Sequence, residues 1–326
     1  MITREQTLSH FSVLYADDDA KDGSAIGGRL SSSECAEQGL CSRAVTVYGE
    51  VSPSHWEDLL RVAEQAGSSV EHHEDRGSAF RTFWDIGSGT GKACFLAAMS
   101  GRFEACAGLE VLSSLHARAT TVLNERWPQV RDAIQNQAAA VSASPPASVV
   151  FHQADLRDAR RWGRHWLTSP CAGEKLQPGR ASAEPAAEAA AGEGAVLVFA
   201  NCTMFDPALM EALAAAVRNA PRGSVFLSFT KPLPGSCDCS SESRSTGSAR
   251  AGTREDCACG AKEYECEHVL ECGSGAGALA KHTCQAHSPL DPESSARRRV
   301  WLIVDEFESE ASWGCVSVFV HVRVEW

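Results

Sequence analysis

The feature that most restricts the fold of this chain is a glycine-rich turn between an apolar run and a helix-like run. The stretch, residues 83 to 98, reads FWDIGSGTGKACFLAA, and Gly87, Gly89 and Gly91 alternate just after Asp85. A turn of this kind between a strand and a helix places backbone N–H groups and a helix N-terminus around a ligand. The sequence therefore predicts a ligand-binding turn after the first strand of an α/β fold.

The spacing of the glycines indicates which ligand the turn binds. Dinucleotide-binding turns read G-x-G-x-x-G, and phosphate-binding P-loops end in G-K-[ST]. This chain reads D-x-G-x-G-x-G and matches neither pattern. A carboxylate at Asp85 repels phosphate but suits an ammonium group, which S-adenosyl-L-methionine carries. We therefore expect S-adenosyl-L-methionine as the cofactor.

A second carboxylate supports this interpretation. Glu110 ends the next predicted strand, in the run EACAGLEVL. At that position a carboxylate can accept hydrogen bonds from both hydroxyls of a ribose. The alternative is that the glycines form only a tight turn and that Glu110 is a solvated strand end. The placement of the turn between a strand and a helix favours ligand binding.

Strand-like and helix-like runs alternate along most of the chain. The first five predicted strands lie in the runs TFWDIG, EACAGLEVL, SVVFHQADL, AVLVFANCTMF and GSVFLSFTKPL. Strands that alternate with helices indicate a parallel sheet. The last two strands, RRVWLIVDEF and GCVSVFVHVRV, have no helix between them and predict an antiparallel hairpin at the edge. The predicted fold is a Rossmann-like, mostly parallel α/β sheet with helices on both faces.

Composition divides the chain into an arm and one domain. Residues 1–44 are polar and rich in glycine and serine, which predicts a flexible N-terminal arm. Residues 45–326 form the predicted domain. An Ala/Glu/Gly-rich loop at 178–195 and a Cys-rich insertion at about 234–297 interrupt it.

The Cys-rich insertion allows two interpretations. Its cysteines and histidines are residue types that bind zinc. Its closely spaced cysteines, however, form C-x-C pairs rather than C-x-x-C pairs, a poor spacing for two ligands of one ion. A disordered insertion with incidental cysteines is favoured, and no metal site is predicted.

Composition also restricts the class of protein. The 326 residues are 44% hydrophobic, which is enough for a sizeable core. No apolar run approaches the length of a membrane span, and the first residues lack the apolar centre of a signal peptide. We expect a soluble, intracellular protein whose 14 cysteines are reduced thiols. The net charge of -12 argues against non-specific binding to nucleic acid.

Several further motifs occur in a fixed order around the glycine turn. They are VYGEV, FWDIGSGTGK, GLE, ADL, VFANCTMFDP, SFTKPLP and SWGCVSVFVH. In this order, over residues 45–231 and 299–326, the chain resembles the disruptor-of-telomeric-silencing family. That family comprises histone lysine methyltransferases without a SET domain, which act on a lysine in the globular core of histone H3. The resemblance implies a class I methyltransferase fold, a nuclear chromatin regulator, and histone H3 or the nucleosome as partner.

The resemblance also implies which residues bind the cofactor. Tyr48, Gly49 and Glu50 would form a loop over the cofactor, with Glu50 near its methionine end. Glu110 would hold the ribose hydroxyls, and Asp155 would accept the amino hydrogens of adenine. The complete implied set is Tyr48, Gly49, Glu50, Asp85, Gly87, Ser88, Gly89, Gly91, Glu110, Asp155 and Leu156.

On the acceptor side the resemblance implies three residues. Asn201 would lie beside the transferred methyl group, and Phe205 and Trp313 would wall the channel for the acceptor lysine. The chain departs from the family at three nearby positions. A second asparagine is replaced by Cys202, an aromatic residue by Thr203 and a tyrosine by Val318, which Phe319 follows. These departures leave cofactor binding intact and bear on the identity of the acceptor.

Methyl transfer from a sulfonium needs no dedicated nucleophile, because the enzyme mainly positions and desolvates the acceptor. Three functions remain open at this point. The first is a histone lysine methyltransferase, and the second is a class I methyltransferase for another protein or a small molecule. The third is a cofactor-binding scaffold that has lost catalysis. None of the three involves a membrane or sequence-specific binding of nucleic acid.

Overall fold

The computed structural model describes residues 3–17, 25–37, 53–68, 80–140, 144–158, 166–168, 194–236, 261–265, 283–286, 299–311 and 314–325. Its helices are α1 (Arg4–Leu14), α2 (Ala25–Glu37), α3 (Pro53–Ser68), α4 (Lys92–Met99), α5 (Ser113–Glu125), α6 (Trp127–Ala140) and α7 (Pro207–Val217). Its strands are β1 (Phe80–Ile86), β2 (Ala105–Glu110), β3 (Ser148–Gln153), β4 (Ala195–Asn201), β5 (Val225–Phe229), β6 (Ala261–Glu265), β7 (Thr283–Ala286), β8 (Arg299–Ala311) and β9 (Gly314–Glu325).

Seven strands form one sheet in the order β3-β2-β1-β4-β5-β9-β8. Strands β1 to β5 pair in parallel, whereas β9 runs antiparallel to both β5 and β8. The closing pair of strands is therefore the antiparallel edge hairpin that the sequence predicts. The strand order reverses between β1 and β4, and ligands of open α/β sheets bind at the carboxyl ends of the strands at such a point.

Both faces of the sheet are covered by helices. Phe83 and Trp84, neighbours on β1, point to opposite faces and are 0% and 2% exposed. Phe83 belongs to a core that includes Trp56 of α3, and Trp84 to a core that includes Leu213 of α7. The predicted fold class, a Rossmann-like, mostly parallel α/β sheet with an antiparallel edge hairpin and helices on both faces, is confirmed.

The structure corrects the predicted flexible arm in the parts of residues 1–44 that it describes. Helix α1 begins with a capping box, in which Thr3 and Gln6 exchange side-chain and backbone hydrogen bonds. Its end brings Leu14 and Tyr15 into the core, at 0% and 5% exposure. Helix α2 packs against α5. Neither helix is predicted from the sequence, because few of their residues are apolar and the hydrophobic periodicity is therefore weak.

The two predicted interruptions lie largely outside the described residues. Only residues 194 and 195 of the loop are described. Within the insertion, β6 and β7 pair with each other as a separate two-stranded ladder. In the described part of the chain no helix has the length and apolarity to cross a bilayer, and no three metal-ligating side chains cluster. The outer bounds of the domain, the loop and the insertion stay predictions.

Candidate active site

The glycine turn lies where the sequence places it, between β1 and α4. Gly87, Gly89 and Gly91 have φ values of 80°, 55° and 88°. Only glycine adopts this left-handed region at little cost. Gly87 and Ser88 donate their N–H groups to the carbonyl oxygen of Leu109 at 2.8 and 2.9 Å. The turn is therefore fixed to the carboxyl end of the neighbouring strand β2.

Glu110 is held directly beside this turn. Its Oε2 accepts the N–H of Gly89 at 2.8 Å, and its Oε1 accepts those of Val111 and Leu112 at 2.8 and 2.9 Å. A carboxylate offers about four lone-pair positions, so Oε2 keeps one for a further donor. The side chain is 6% exposed, which excludes the alternative of a solvated strand end. Burial raises the pKa of Glu110, the three N–H groups oppose that rise, and the negative charge of Glu34 adds a smaller rise.

The remaining groups of the turn fit a cationic, hydroxyl-bearing ligand. Asp85 is 4% exposed at the end of β1, so a second buried carboxylate stands at the turn. The hydroxyl of Ser88 is buried and has no hydrogen-bond partner among the described residues. A buried hydroxyl without a partner is uncommon in a finished core. The two buried carboxylates, Asp85 and Glu110, are groups that could hold the ammonium group and a ribose hydroxyl of S-adenosyl-L-methionine.

Gly91 is required for packing as well as for its backbone conformation. A Cβ placed there would lie 2.5 Å from Cζ of Phe151 on β3, far inside van der Waals contact. Gly108 on β2 is restricted in the same way, because a Cβ there would lie 2.6 Å from the Phe151 ring. A contact between Gly91 and the cofactor stays a prediction.

Phe205, which the sequence predicts as a wall of the acceptor channel, lies beside the glycine turn. A Cβ on Gly87 would lie 3.5 Å from Cζ of Phe205. Phe205 follows the one-turn 3-10 helix Cys202–Met204, which begins directly after β4. The structure thus brings together the glycine turn and one predicted wall of the acceptor channel.

Asn201 lies at the carboxyl end of β4, and its side chain is held by Thr203. The Oδ1 atom of Asn201 accepts the hydroxyl of Thr203 at 2.8 Å and its N–H at 3.3 Å. The Thr203 hydroxyl also lies 2.8 Å from that of Thr230. Since the Thr203 proton goes to Asn201, Thr230 is the donor to Thr203. We call this chain of Thr230, Thr203 and Asn201 the hydroxyl chain.

Thr230, at the start of the hydroxyl chain, has a strained backbone. Its φ is 71°, which is rare for a β-branched residue. The N–H of Lys231 donates to the carbonyl oxygen of Phe229 at 2.9 Å, so Thr230 is the central residue of a three-residue turn. With a positive φ at its centre, this is the rare, strained form of the γ-turn. Such strain persists where neighbours enforce it and is concentrated at functional sites. Here the backbone carbonyl oxygen of Ser317 on β9 accepts the N–H of Thr230 at 2.8 Å.

Two of the residues at which this chain departs from the family it resembles, Cys202 and Val318, lie in the core. Cys202 is 0% exposed, and burial raises the pKa of its thiol. Val318 is also 0% exposed, where β9 pairs it with Phe229 and Phe307. Neither side chain is open to solvent at the acceptor side of the site.

The predicted adenine residues have other partners in this structure. The carboxylate of Asp155 accepts two hydrogen bonds from the guanidinium of Arg157. Nη2 donates to Oδ2 at 2.7 Å, and Nε donates to Oδ1 at 3.0 Å. These hydrogen bonds lower the pKa of Asp155. Leu156 is 6% exposed and belongs to the core. The roles of both residues toward adenine stay predictions.

Sequence reasoning missed several residues near the site. Val111 follows Glu110 directly and exposes 53% of its surface. Its signal in the sequence is an apolar residue after a strand-ending acid. The signal for Thr203 and Thr230 is their position after β4 and β5, because neighbouring parallel strands end at one edge. Tyr48, Gly49, Glu50 and Trp313 lie outside the described residues.

Comparisons with known proteins give limited similarity. Models of known protein families give no match. A search of curated proteins finds no match either. An rRNA methyltransferase, AviRa of Streptomyces viridochromogenes, is 14% identical over 54% of this chain and 76% of its own, with a TM-score of 0.33.

Two other solved structures extend over more of the chain. A magnesium protoporphyrin IX methyltransferase of Synechocystis PCC 6803 with bound SAM is 10% identical over 82% of this chain and 78% of its own, with a TM-score of 0.31. A structure on the conversion of a disulfide bond into a thioacetal group during echinomycin biosynthesis is 15% identical over 90% and 91%, with a TM-score of 0.36. A further solved structure, YcgJ from Bacillus subtilis, is covered by this chain over only 49% of its own length. Similarity at these identities and TM-scores carries no information on the function of this chain.

Proposed function

We propose that this protein is an S-adenosyl-L-methionine-dependent methyltransferase. The observation that carries the proposal is the environment of Glu110. This buried carboxylate at the end of β2 is held by three N–H groups and keeps one lone pair beside the glycine turn. A ribose hydroxyl is a donor that this remaining lone pair can accept. Because three N–H groups occupy the other positions, Glu110 can accept one ribose hydroxyl rather than the two that the sequence predicts.

Each part of the cofactor has a counterpart in the site. Glu110 would hold the ribose, and Asp85 would face the positively charged methionine end. Val111 would offer its exposed apolar side chain to the adenine ring. When bound, the cofactor supplies an activated methyl group on a sulfonium.

The residues of the chain itself would prepare the acceptor. Phe205, beside Gly87, would exclude water at the point where the acceptor approaches the methyl group. The hydroxyl chain would fix the side chain of Asn201, which orients the acceptor. For a lysine acceptor, deprotonation at pH 7 costs about 4.6 kcal/mol from a pKa of about 10.4. A dry, apolar surrounding lowers that cost because it disfavours the charged amine.

As the acceptor we propose a lysine of histone H3, methylated on the nucleosome in the nucleus. The motifs around Asn201 and Phe205 support this choice, and both residues lie at the carboxyl edge of the sheet. A net charge of -12 also suits a basic protein partner better than free nucleic acid. We propose no membrane partner and no sequence-specific nucleic acid partner.

A second candidate is a class I methyltransferase for another protein or a small molecule. Thr203 stands where the family has an aromatic residue, and its hydroxyl forms part of a polar chain. Buried Cys202 and Val318 also change the surroundings of the acceptor. The third candidate is a scaffold that binds the cofactor without transfer.

One experiment separates these candidates. Cofactor labelled in its methyl group is incubated with the whole protein and with nucleosomes, free histones or cell extract. We expect label in a lysine of the histone H3 core and none in nucleic acid. Label only in another protein or a small molecule would replace the histone proposal by the second candidate. Cofactor binding without transfer to any of these acceptors would favour the scaffold.

A further inference from the structure

Glu34 of α2 inserts its carboxylate into the N-terminus of α5, 79 and 80 residues away in sequence. Oε1 accepts the N–H and the hydroxyl of Ser113 at 2.8 and 2.9 Å. Oε2 accepts the N–H and the hydroxyl of Ser114 at 2.8 and 2.5 Å. Glu34 is 7% exposed. Burial opposes its charge, but these hydrogen bonds outweigh burial and lower the pKa of Glu34 to about 2.

Glu34 and Glu110 divide four consecutive N–H groups between them. Glu110 accepts those of Val111 and Leu112, and Glu34 accepts those of Ser113 and Ser114. The first N–H groups of a helix have no partner within it, and they attract carboxylates. If Glu34 were removed, Ser113 and Ser114 would present free donors directly beside the carboxylate of Glu110.

We infer that Glu34 is a positioning residue for the ribose carboxylate Glu110, so that helix α2 forms part of the cofactor site. By satisfying Ser113 and Ser114, Glu34 removes donors that would compete for Glu110. Glu110 then keeps its bond to Gly89 and the lone pair that faces the turn. This inference rests on the proposed function, because it assumes a cofactor with ribose hydroxyls.

Asp17, which follows helix α1 in the N-terminal part of the chain, supplies a matched control. Asp17 accepts hydrogen bonds from Arg118 of α5 at 2.5 Å and from Arg126 at 2.6 Å. Like Glu34, it attaches the N-terminal segment to this part of the molecule through hydrogen bonds to a carboxylate. Unlike Glu34, Asp17 accepts no hydrogen bond from the residues directly after Glu110 in the described part of the chain. Asp17→Asn therefore tests loss of attachment without a change at the ribose carboxylate.

The experiment is a calorimetric titration of the whole chain with S-adenosylmethionine. Glu34→Gln should weaken binding about tenfold, the effect of one hydrogen bond between the ribose and Glu110 that is lost to the freed donors. In a Glu110→Ala background the same change should have no further effect, because Glu34 acts through Glu110. Asp17→Asn should lower the unfolding temperature and leave the affinity unchanged.

Three results would overturn the inference. They are an unchanged affinity of Glu34→Gln, losses that add in the double variant, and an equal loss of affinity in Asp17→Asn. If Glu34→Gln does not fold, Glu34→Asp serves instead, because it keeps the charge with a shorter reach and should also bind more weakly. If the unsubstituted chain does not bind the cofactor, the proposed function itself fails, and the inference fails with it.

Discussion

The ring of Phe205 lies against Gly87, with its Cζ 3.5 Å from the position that a Cβ on that glycine would occupy. The first turn after β1 and the short turn after β4 therefore meet at the switch point of the sheet. Any side chain on Gly87 would project toward the Phe205 ring, where we propose that the cofactor and the acceptor meet. Gly87 is thus the most direct probe of this space.

Gly87→Val should abolish cofactor binding, because the new side chain would occupy the space of the ligand. The control is Gly235→Val. Gly235 has a similar φ of 73°, and a Cβ there would meet no atom within 4 Å. Both variants should lose about 1–2 kcal/mol of stability through backbone strain. Thermal unfolding measures the loss of stability in each variant, and calorimetric titration measures the loss of cofactor affinity. Equal cofactor affinity in the two variants would contradict binding of the cofactor at the glycine turn.

Thr230→Gly should lower the rate of methyl transfer without loss of stability. Glycine adopts the observed φ of 71° freely, which relieves about 1–2 kcal/mol of strain and offsets its greater freedom when unfolded. It also removes the first donor of the hydroxyl chain. Thr230→Ser keeps that donor and should retain most of the rate. If Thr230→Gly turned over as fast as the unsubstituted protein, the hydroxyl chain would have no part in transfer.

The sheet could be predicted from sequence because its signals are local. The first five strands are apolar runs separated by helices or loops, and β8 and β9 follow each other without a helix. Helices α1 and α2 could not be predicted, since their polar sequences show little periodicity and their contacts come from distant residues. The contact of Glu34 with Ser113 and Ser114 exists only in the folded chain.

Of the candidate site, the sequence predicts the backbone positions but not the side-chain contacts. The glycine turn and Glu110 follow from spacing, because each directly follows or ends a strand. The pairing of Asp155 with Arg157 and the bond from Thr230 to Thr203 depend on side-chain orientation, which spacing does not report. The burial of Val318 likewise depends on which face of β9 it occupies.

The free energy of unfolding should fall as the pH is lowered from about 4.5 to about 2. Glu34 has a pKa of about 2 in the folded protein against an ordinary value of 4.5, so the unfolded chain binds its proton more readily. Its contribution to stability is present above pH 4.5 and is lost as the pH falls toward 2. Asp17, whose pKa is lowered by Arg126 and Arg118, acts in the same direction.

Urea unfolding at a series of pH values measures this effect. Glu34→Gln should show a shallower loss of stability with acid than the unsubstituted protein, because one of the titrating groups is gone. Identical pH profiles for the two proteins would show that the Glu34 carboxylate does not stabilise the fold.

Replacement of residues 237 to 297 by a short linker should leave cofactor affinity nearly unchanged. Among the residues of this segment that the structure describes, β6 and β7 pair with each other and none belongs to the seven-stranded sheet. A change in loop length alone costs little free energy. Calorimetric titration checks the affinity and circular dichroism checks the fold. An unfolded product would show that the insertion is required for the core.

The central claim is that the glycine turn and Glu110 bind S-adenosyl-L-methionine. It is tested most directly by calorimetric titration of the cofactor into the whole chain and its Glu110→Ala variant. The control is Glu104→Ala, since the Glu104 side chain is 65% exposed and pairs with Arg81.

We predict saturable binding to the unsubstituted protein and an unchanged affinity for Glu104→Ala. The affinity of Glu110→Ala should be weaker by about 1.5–3 kcal/mol, the usual contribution of hydrogen bonds to a charged group. No binding to the unsubstituted protein, or equal binding to all three proteins, would contradict the account.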